Sequence, residues 1–232
     1  PMAGKNDKIL VWDVPVRLFH WLLVALMATS YFSGRAGGDW MQLHFWSGYA
    51  IMTLLFFRLV WGFVGSTTAR FSSFLKGPTA AFTHVAHFFR KEGPRDVGHN
   101  PLGGAMVLVL IVAVLAQVGT GLFSADTDTG MVNGPLALKV ADKWVERATN
   151  FHAWWINILL ILVAVHVAAV VLYLVWKRHN LIGPMITGRK RIDQAVEPGA
   201  PTPRLAFGSS RLAMSVLLAC AALVYFIVRA GG

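Results

Sequence analysis

Cysteine is nearly absent from this chain: Cys220 is the single thiol in 232 residues. It sits within an apolar run and has no internal partner, so a disulfide-stapled scaffold is excluded, and cysteine usage says nothing about redox compartment. Charge is scarce as well. Asp, Glu, Lys and Arg make up 14% of the residues against 56% hydrophobic, and mean hydropathy is +0.56. Disordered, collagen-like and ordinary soluble globular chains do not have this composition. Acidic residues are the rarer sign, 11 against 21 Lys and Arg, for a net charge of +10. The basic residues flank apolar blocks instead of forming one continuous patch, which argues against a nucleic-acid partner and for a membrane one. No repeat of fixed period is present.

Five apolar stretches approach the length of about 20 helical residues that a hydrocarbon core requires. They lie near 16–34, 45–64, 103–123, 153–176 and 212–228. Each is continuously apolar, without the two-residue alternation of a lipid-facing strand, so helices are expected and a barrel is not. Fifteen of the 21 basic residues fall before or between the spans on one side: at the N-terminus, in 66–100 and in 177–211. The positive-inside rule makes that side cytoplasmic, with the N-terminus inside and, after five spans, the C-terminus outside. The expected location is a bacterial inner membrane. The first span is read as retained rather than cleaved, because no small-x-small cleavage pattern follows it.

The connecting segments differ in character. Residues 78–91 open on Pro78 and show helical spacing of apolar residues, the pattern of a short helix lying in the membrane interface. His84 and His87 fall on its polar face. The segment 125–149 mixes Asp126, Asp128, Asp142 and Glu146 with Lys139, Lys143 and Arg147, and is expected to fold over the outer mouth of the bundle or meet a partner. Residues 189–204 read as an exposed linker to the last span.

Ionisable side chains at membrane depth are costly and point to function. His152 and His166 share one predicted helix and lie 14 residues apart, about 21 Å along the axis and within roughly 40° in azimuth. His152 is placed near the outer face and His166 toward the inner one. His44 begins the second span at the outer depth, and His20 lies about a turn inside the first span at the inner depth. The histidines therefore pair by depth, His20 with His166 and His44 with His152. Each pair can offer two imidazoles to one iron from facing helices. A structural zinc site needs about four ligands close together, and this spacing separates them.

The residues around these positions are Val-Trp-Asp-Val-Pro-Val-Arg-Leu-Phe-His-Trp (11–21), Leu-His-Phe-Trp-Ser-Gly-Tyr (43–49), Phe-Arg-Leu-Val-Trp-Gly-Phe-Val-Gly (57–65), Gly-His-Asn-Pro-Leu-Gly-Gly (98–104), Asn-Phe-His-Ala-Trp-Trp (150–155) and Val-His-Val (165–167). Together they resemble the prokaryotic cytochrome b561 family, which includes the b-type cytochrome subunits of nickel-iron hydrogenases. The resemblance runs from residue 10 to about 190. It implies a four-helix di-haem core over 1–190, with His20, His44, His152 and His166 as axial ligands of two b haems, leaving 191–232 as an inner linker and an additional fifth helix. It also implies electron exchange between quinone or quinol and a redox partner, such as a periplasmic c-type cytochrome or a hydrogenase. The alternatives kept open are a membrane-anchoring subunit of a hydrogenase or other dehydrogenase, and a non-redox haem or metal carrier. Quinol oxidoreductase activity is left open, as is an oligomer formed through the fifth helix.

Three further residues are candidates near the inner haem. Arg58 follows His44 by 14 residues, about 21 Å deeper, where it can pair with a propionate, helped by Arg17; the competing reading for both is snorkelling to lipid headgroups. His99 precedes the third span and is placed to meet the inner haem or quinone. Gly48, Gly62, Gly65, Gly119 and Gly121 suit close approach of a backbone to a neighbouring helix or a flat ring. Most tryptophans, Trp12 among them, fall near predicted membrane boundaries, as an aromatic belt requires.

Overall fold

The computed structural model describes residues 7–77, 79, 96–125, 132–196 and 200–231. Five helices have the length and apolarity to cross a membrane: Val14–Ala36, Met41–Val64 with a preceding 3-10 turn at Gly38–Trp40, Pro101–Gly121, Asp142–Val175 and Ser210–Arg229. The protein is an all-α, multi-pass membrane bundle. Among the described residues its one sheet is a pair of three-residue strands, Lys8–Leu10 antiparallel to Arg189–Arg191, with Lys8 opposite Arg191. The interfacial helix expected over 78–91, with His84 and His87, lies outside the described residues, as do Asp126 and Asp128.

Four spans fall within a few residues of their expected bounds. The fourth does not: it begins at Asp142, well before the apolar run. Residues 142–152 carry Lys, Glu, Arg and Ala, which favour helix, and Asp142 in the first turn offsets the helix dipole. Helix therefore continues outward from the apolar stretch, with Trp144 flanked by Lys143 and by Arg147, whose guanidinium carbon is 4.9 Å from its ring centre. The mixed-charge segment is thus helical from Asp142 onward, while the amides of Gly134 and Leu136 donate back to the carbonyls of Ser124 and Leu122 at the end of the third span.

The chain divides into two compact units. The first comprises Pro1–Leu18, Leu59–Val109 and Ala164–Ala213, and Asp13 is central to it. This carboxylate is 6% exposed. Its Oδ1 accepts from the Val16 amide at 2.8 Å, capping the first span, and its Oδ2 accepts from the Trp61 indole at 3.0 Å and from the Ser66 hydroxyl. Ser66 Oγ in turn accepts from the Gly208 amide at 2.9 Å, so the linker to the fifth span is tied to the same group. A side chain at Gly208 would meet the Trp61 ring at 2.7 Å. Gly188, at φ +80°, accepts at its carbonyl from the amides of Val11 and Trp12.

Removing the Asp13 carboxylate loses a helix cap and strands two buried donors. Asp13→Ala is expected to destabilise the protein by about 2–4 kcal/mol, read as a lowered thermal midpoint in detergent, with Asp13→Asn less affected. An unchanged midpoint in the alanine variant would remove this account of the junction.

Elsewhere in this unit, Asn100 Oδ1 accepts from the Gly103 amide at 2.6 Å, opening the third span, while its amide nitrogen donates to the Tyr173 hydroxyl at 2.7 Å. Lys190 is buried and donates from Nζ to the Asp96 carbonyl at 2.6 Å. Burial pushes its ammonium pKa down, and the Asp96 charge opposes that shift.

The second unit comprises Phe19–Arg58, Leu110–Val163 and Met214–Gly232. Its core joins Met52, Leu122 and Val224, with Tyr49, Val118, Ile227 and others packed against them. The fifth span thus contributes Val224 and Ile227 to a core shared with the second and third. Cys220, four residues before Val224, is buried on the same helix at 6% exposure.

Candidate functional site

The second unit contains a cavity of about 620 Å³ lined by parts of the first four spans, within the range of about 300–1,000 Å³ usual for ligand sites. His44 and His152 both line it. Their ring centres are 6.2 Å apart and their planes lie at 89°. Metal–imidazole bonds of about 2.0–2.1 Å, plus about 1.1 Å from each nitrogen to its ring centre, place two axial imidazoles on one metal about 6.3 Å apart. The observed spacing is that distance.

Local structure fixes which ring nitrogen is available. His44 Nδ1 lies 2.8 Å from the Ser30 carbonyl oxygen, and His152 Nδ1 lies 2.8 Å from that of Gln117. A carbonyl only accepts, so each Nδ1 carries the hydrogen and donates it, leaving Nε2 with its lone pair. This is the outer-sphere arrangement that orients metal-bound imidazoles. The Gln117 side-chain nitrogen is 3.3 Å from His152 Nδ1 and 3.2 Å from Nε2. Near-equal reach to both nitrogens sets it beside the ring and out of line with the Nε2 lone pair. Its Oε1 is buried and makes no hydrogen bond among the described residues, so a polar atom at the cavity wall awaits a partner.

Glycines shape the same wall. A Cβ at Gly34 would stand 2.7 Å from His44 Nδ1, and one at Gly121 3.0 Å from His152 Cε1. Gly48 also lines the cavity, and a Cβ there would meet nothing within 4 Å, projecting into open space. Two imidazoles at this spacing, a largely apolar cavity and glycine where side chains would crowd the rings together fit a haem. Among the described residues no three His, Cys, Asp or Glu gather as a metal-ion site, so a structural zinc has no matching ligand set there.

His20 is half-buried on the first span, edge-on to Trp21 at 5.0 Å. His166 is half-buried on the fourth span, on the continuous helix that carries His152. These two histidines belong to different compact units. Arg58 is 2% exposed, a burial that does not suit a side chain snorkelling to lipid headgroups. Arg17 donates from Nη1 to the Ile186 carbonyl at 2.6 Å. His99 is held between Trp12, at 4.6 Å, and Phe74, at 4.8 Å. Trp12 is correspondingly buried instead of belonging to a boundary belt.

Ser30, Gly34 and Gln117 do not stand out from spacing alone. The available signal was polarity out of place: Gln117 is an amide within the strongly apolar third span, where such groups need a reason. Of the glycines singled out, Gly121 meets the His152 ring, Gly62 faces Phe71 and Gly65 faces Trp61, whereas Gly119 has open space.

Comparison with known proteins agrees with this chemistry. Residues 11–188 match the family model for prokaryotic cytochrome b561. A probable Ni/Fe-hydrogenase B-type cytochrome subunit from Bradyrhizobium diazoefficiens is 26% identical over 221 residues, covering 82% of this chain and 88% of that protein. One from Rhizobium leguminosarum bv. viciae is 24% identical over 217 residues, covering 81% and 91%. A probable Ni/Fe-hydrogenase 1 B-type cytochrome subunit from Escherichia coli (strain K12) is 28% identical over 148 residues, covering 52% and 63%. No solved structure gives a significant match. With five apolar helices, two facing imidazoles in a haem-sized cavity and a match over most of its length, this chain belongs to the prokaryotic cytochrome b561 family of b-type cytochromes.

Proposed function

We propose that the protein carries electrons across a bacterial inner membrane through two b haems, one held by His44 and His152 and the other by His20 and His166. The observation that carries this reading is the His44–His152 geometry: ring centres 6.2 Å apart with both Nδ1 atoms committed to carbonyls. An iron with both axial positions taken by imidazole has no open coordination site and exchanges single electrons. Ser30 and Gln117 hold the rings at their Nδ1 side and so fix the direction of each Nε2. The depths of His20 and His166 in the sequence support the second pair. Buried Arg58 supplies a cation for a propionate of that second haem, with Arg17 and His99 as further neighbours. Residues 1–190 form the di-haem core, and 191–232 the linker and fifth helix. Basic residues place the N-terminus in the cytoplasm and the C-terminus in the periplasm.

Quinone or quinol is the proposed reactant at one end. For the partner at the other, the names of the relatives favour a nickel-iron hydrogenase over a periplasmic c-type cytochrome, making the protein the membrane cytochrome subunit of such an enzyme. The test is to purify the chain alone and with a candidate hydrogenase, and to record haem spectra under quinol and under hydrogen. Two b haems per chain, reduced by hydrogen only when the hydrogenase is present, is the expected result. Reduction by quinol without any hydrogen-dependent route would favour the autonomous quinol oxidoreductase. A chain whose haem shows no reversible redox titration would leave only the carrier reading.

A further inference from the structure

We infer that Arg35 anchors a haem propionate in the His44–His152 cavity and thereby sets which way round the macrocycle lies. This rests on the haem reading above and deepens it. The cavity is zoned along its length. One end is walled by Met27, Ile51, Val114 and Leu159, of which the last three are buried, at 2–3% exposure. The other end is formed where the spans finish or begin: Arg35 and the Gly37–Gly38 turn after the first span, and Ser124 after the third. Met27 and Arg35 are eight residues apart on one helix, about 12 Å along its axis.

A b haem is apolar over most of its edge and carries two carboxylates on one side. Burying those carboxylates against Met27, Ile51 and Leu159 would leave charge unpaired in an apolar pocket, which is strongly unfavourable. Turned the other way, they meet the polar end. Among the described residues that line the cavity, Arg35 is the one Lys, Arg, Asp or Glu. Its planar guanidinium offers paired donors that match a carboxylate. Among the described residues it makes no ion pair or hydrogen bond with another side chain. Its place in the last turn of the first span also lets it favour the helix dipole, but that role needs only charge and would leave the haem indifferent to it. The residue is exposed, so replacing it does not open a packed core.

The experiment compares wild type, Arg35→Gln, Arg35→Lys and Lys139→Gln by haem count, redox titration and the rate of haem transfer to an apoprotein acceptor. A nearby cation disfavours the more positive ferric state, so its removal lowers the midpoint potential. Arg35→Gln is expected to retain two haems. At the wild-type midpoint of the His44–His152 haem, its oxidised-to-reduced ratio should rise about tenfold, or about 59 mV for a one-electron couple. Haem loss from that site should also become faster. Arg35→Lys should keep most of the potential, because it keeps the charge, and show an intermediate rate of loss. Lys139→Gln, which removes a cation absent from the cavity lining, should leave both unchanged. A haem-loaded Arg35→Gln protein with wild-type potentials and wild-type retention would overturn the Arg35 assignment while leaving the haem site standing. Wild-type protein without haem in the His44–His152 site would overturn both.

Discussion

Alanine at His44 and alanine at His152 each remove one haem of the expected two, and the same one. On the proposed reading each imidazole would supply one bond to a shared iron, so losing either would leave the site half-ligated, and the variants should converge in spectrum and stoichiometry. Pyridine haemochrome on the purified variants gives the count, and a redox titration identifies the surviving haem by its potential. His20→Ala and His166→Ala should converge on the other haem. If the His44 and His152 variants lost different haems, or neither lost one, the pairing would be wrong. The ring planes add an independent check. Two imidazoles held on one iron with planes at 89° would leave its two d orbitals of π symmetry nearly equal in energy. The ferric haem at this site should therefore give a strongly anisotropic low-spin electron paramagnetic resonance signal with one large g value. A rhombic three-line spectrum would mean that the planes are close to parallel.

Valine at Gly34 should nearly match that loss without replacing either histidine. A Cβ there reaches 2.7 Å from His44 Nδ1, closer than van der Waals contact permits, so the ring must move. It cannot do so and still donate to the Ser30 carbonyl, 2.8 Å away on the same helix as Gly34. Perturbing an outer-sphere partner of a metal-bound histidine costs about 10–100-fold in affinity, and the displaced ring adds a misdirected Nε2. Haem occupancy of this site should fall accordingly in Gly34→Val, as measured by titrating haem into the protein prepared under haem limitation. Gly34→Ala should show a smaller loss. Gly119→Ala is the control, since its Cβ would meet nothing within 4 Å and alanine favours helix. Normal haem content in Gly34→Val would show that His44 tolerates a different ring position.

The five spans were legible because a bilayer-crossing helix must be apolar along its whole length, a condition that every residue in the run reports. The fourth helix was legible only where lipid demands it. Its extension from Asp142 depends on helix propensity, a much weaker signal in a polar sequence. The fifth span was visible as an apolar run, but its Val224 and Ile227 in a core with Met52 and Leu122 follow from packing between distant segments.

The histidines divide in the same way. Their depths follow from the rise of a helix and the direction of each span, which is local arithmetic. The 6.2 Å separation of His44 and His152, the commitment of both Nδ1 atoms and the glycines that clear room beside the rings are relations between side chains on different helices. Asp13 shows the limit from the other side. Its place in a motif was plain, yet its partners Trp61 and Ser66 lie 48 and 53 residues away in sequence, and no local pattern announces them. The burial of Arg58, at 2% exposure, is likewise set by packing and not by its place in the span.

From the sequence alone came the membrane class, the number of spans, the helical architecture and the four candidate histidines, because hydrophobicity and helical rise act on neighbours along the chain. Tertiary structure decided which ring nitrogen is committed to a carbonyl, which glycines lie against the rings and which charged groups are buried, because those depend on atoms brought together from remote segments by packing and hydrogen bonding.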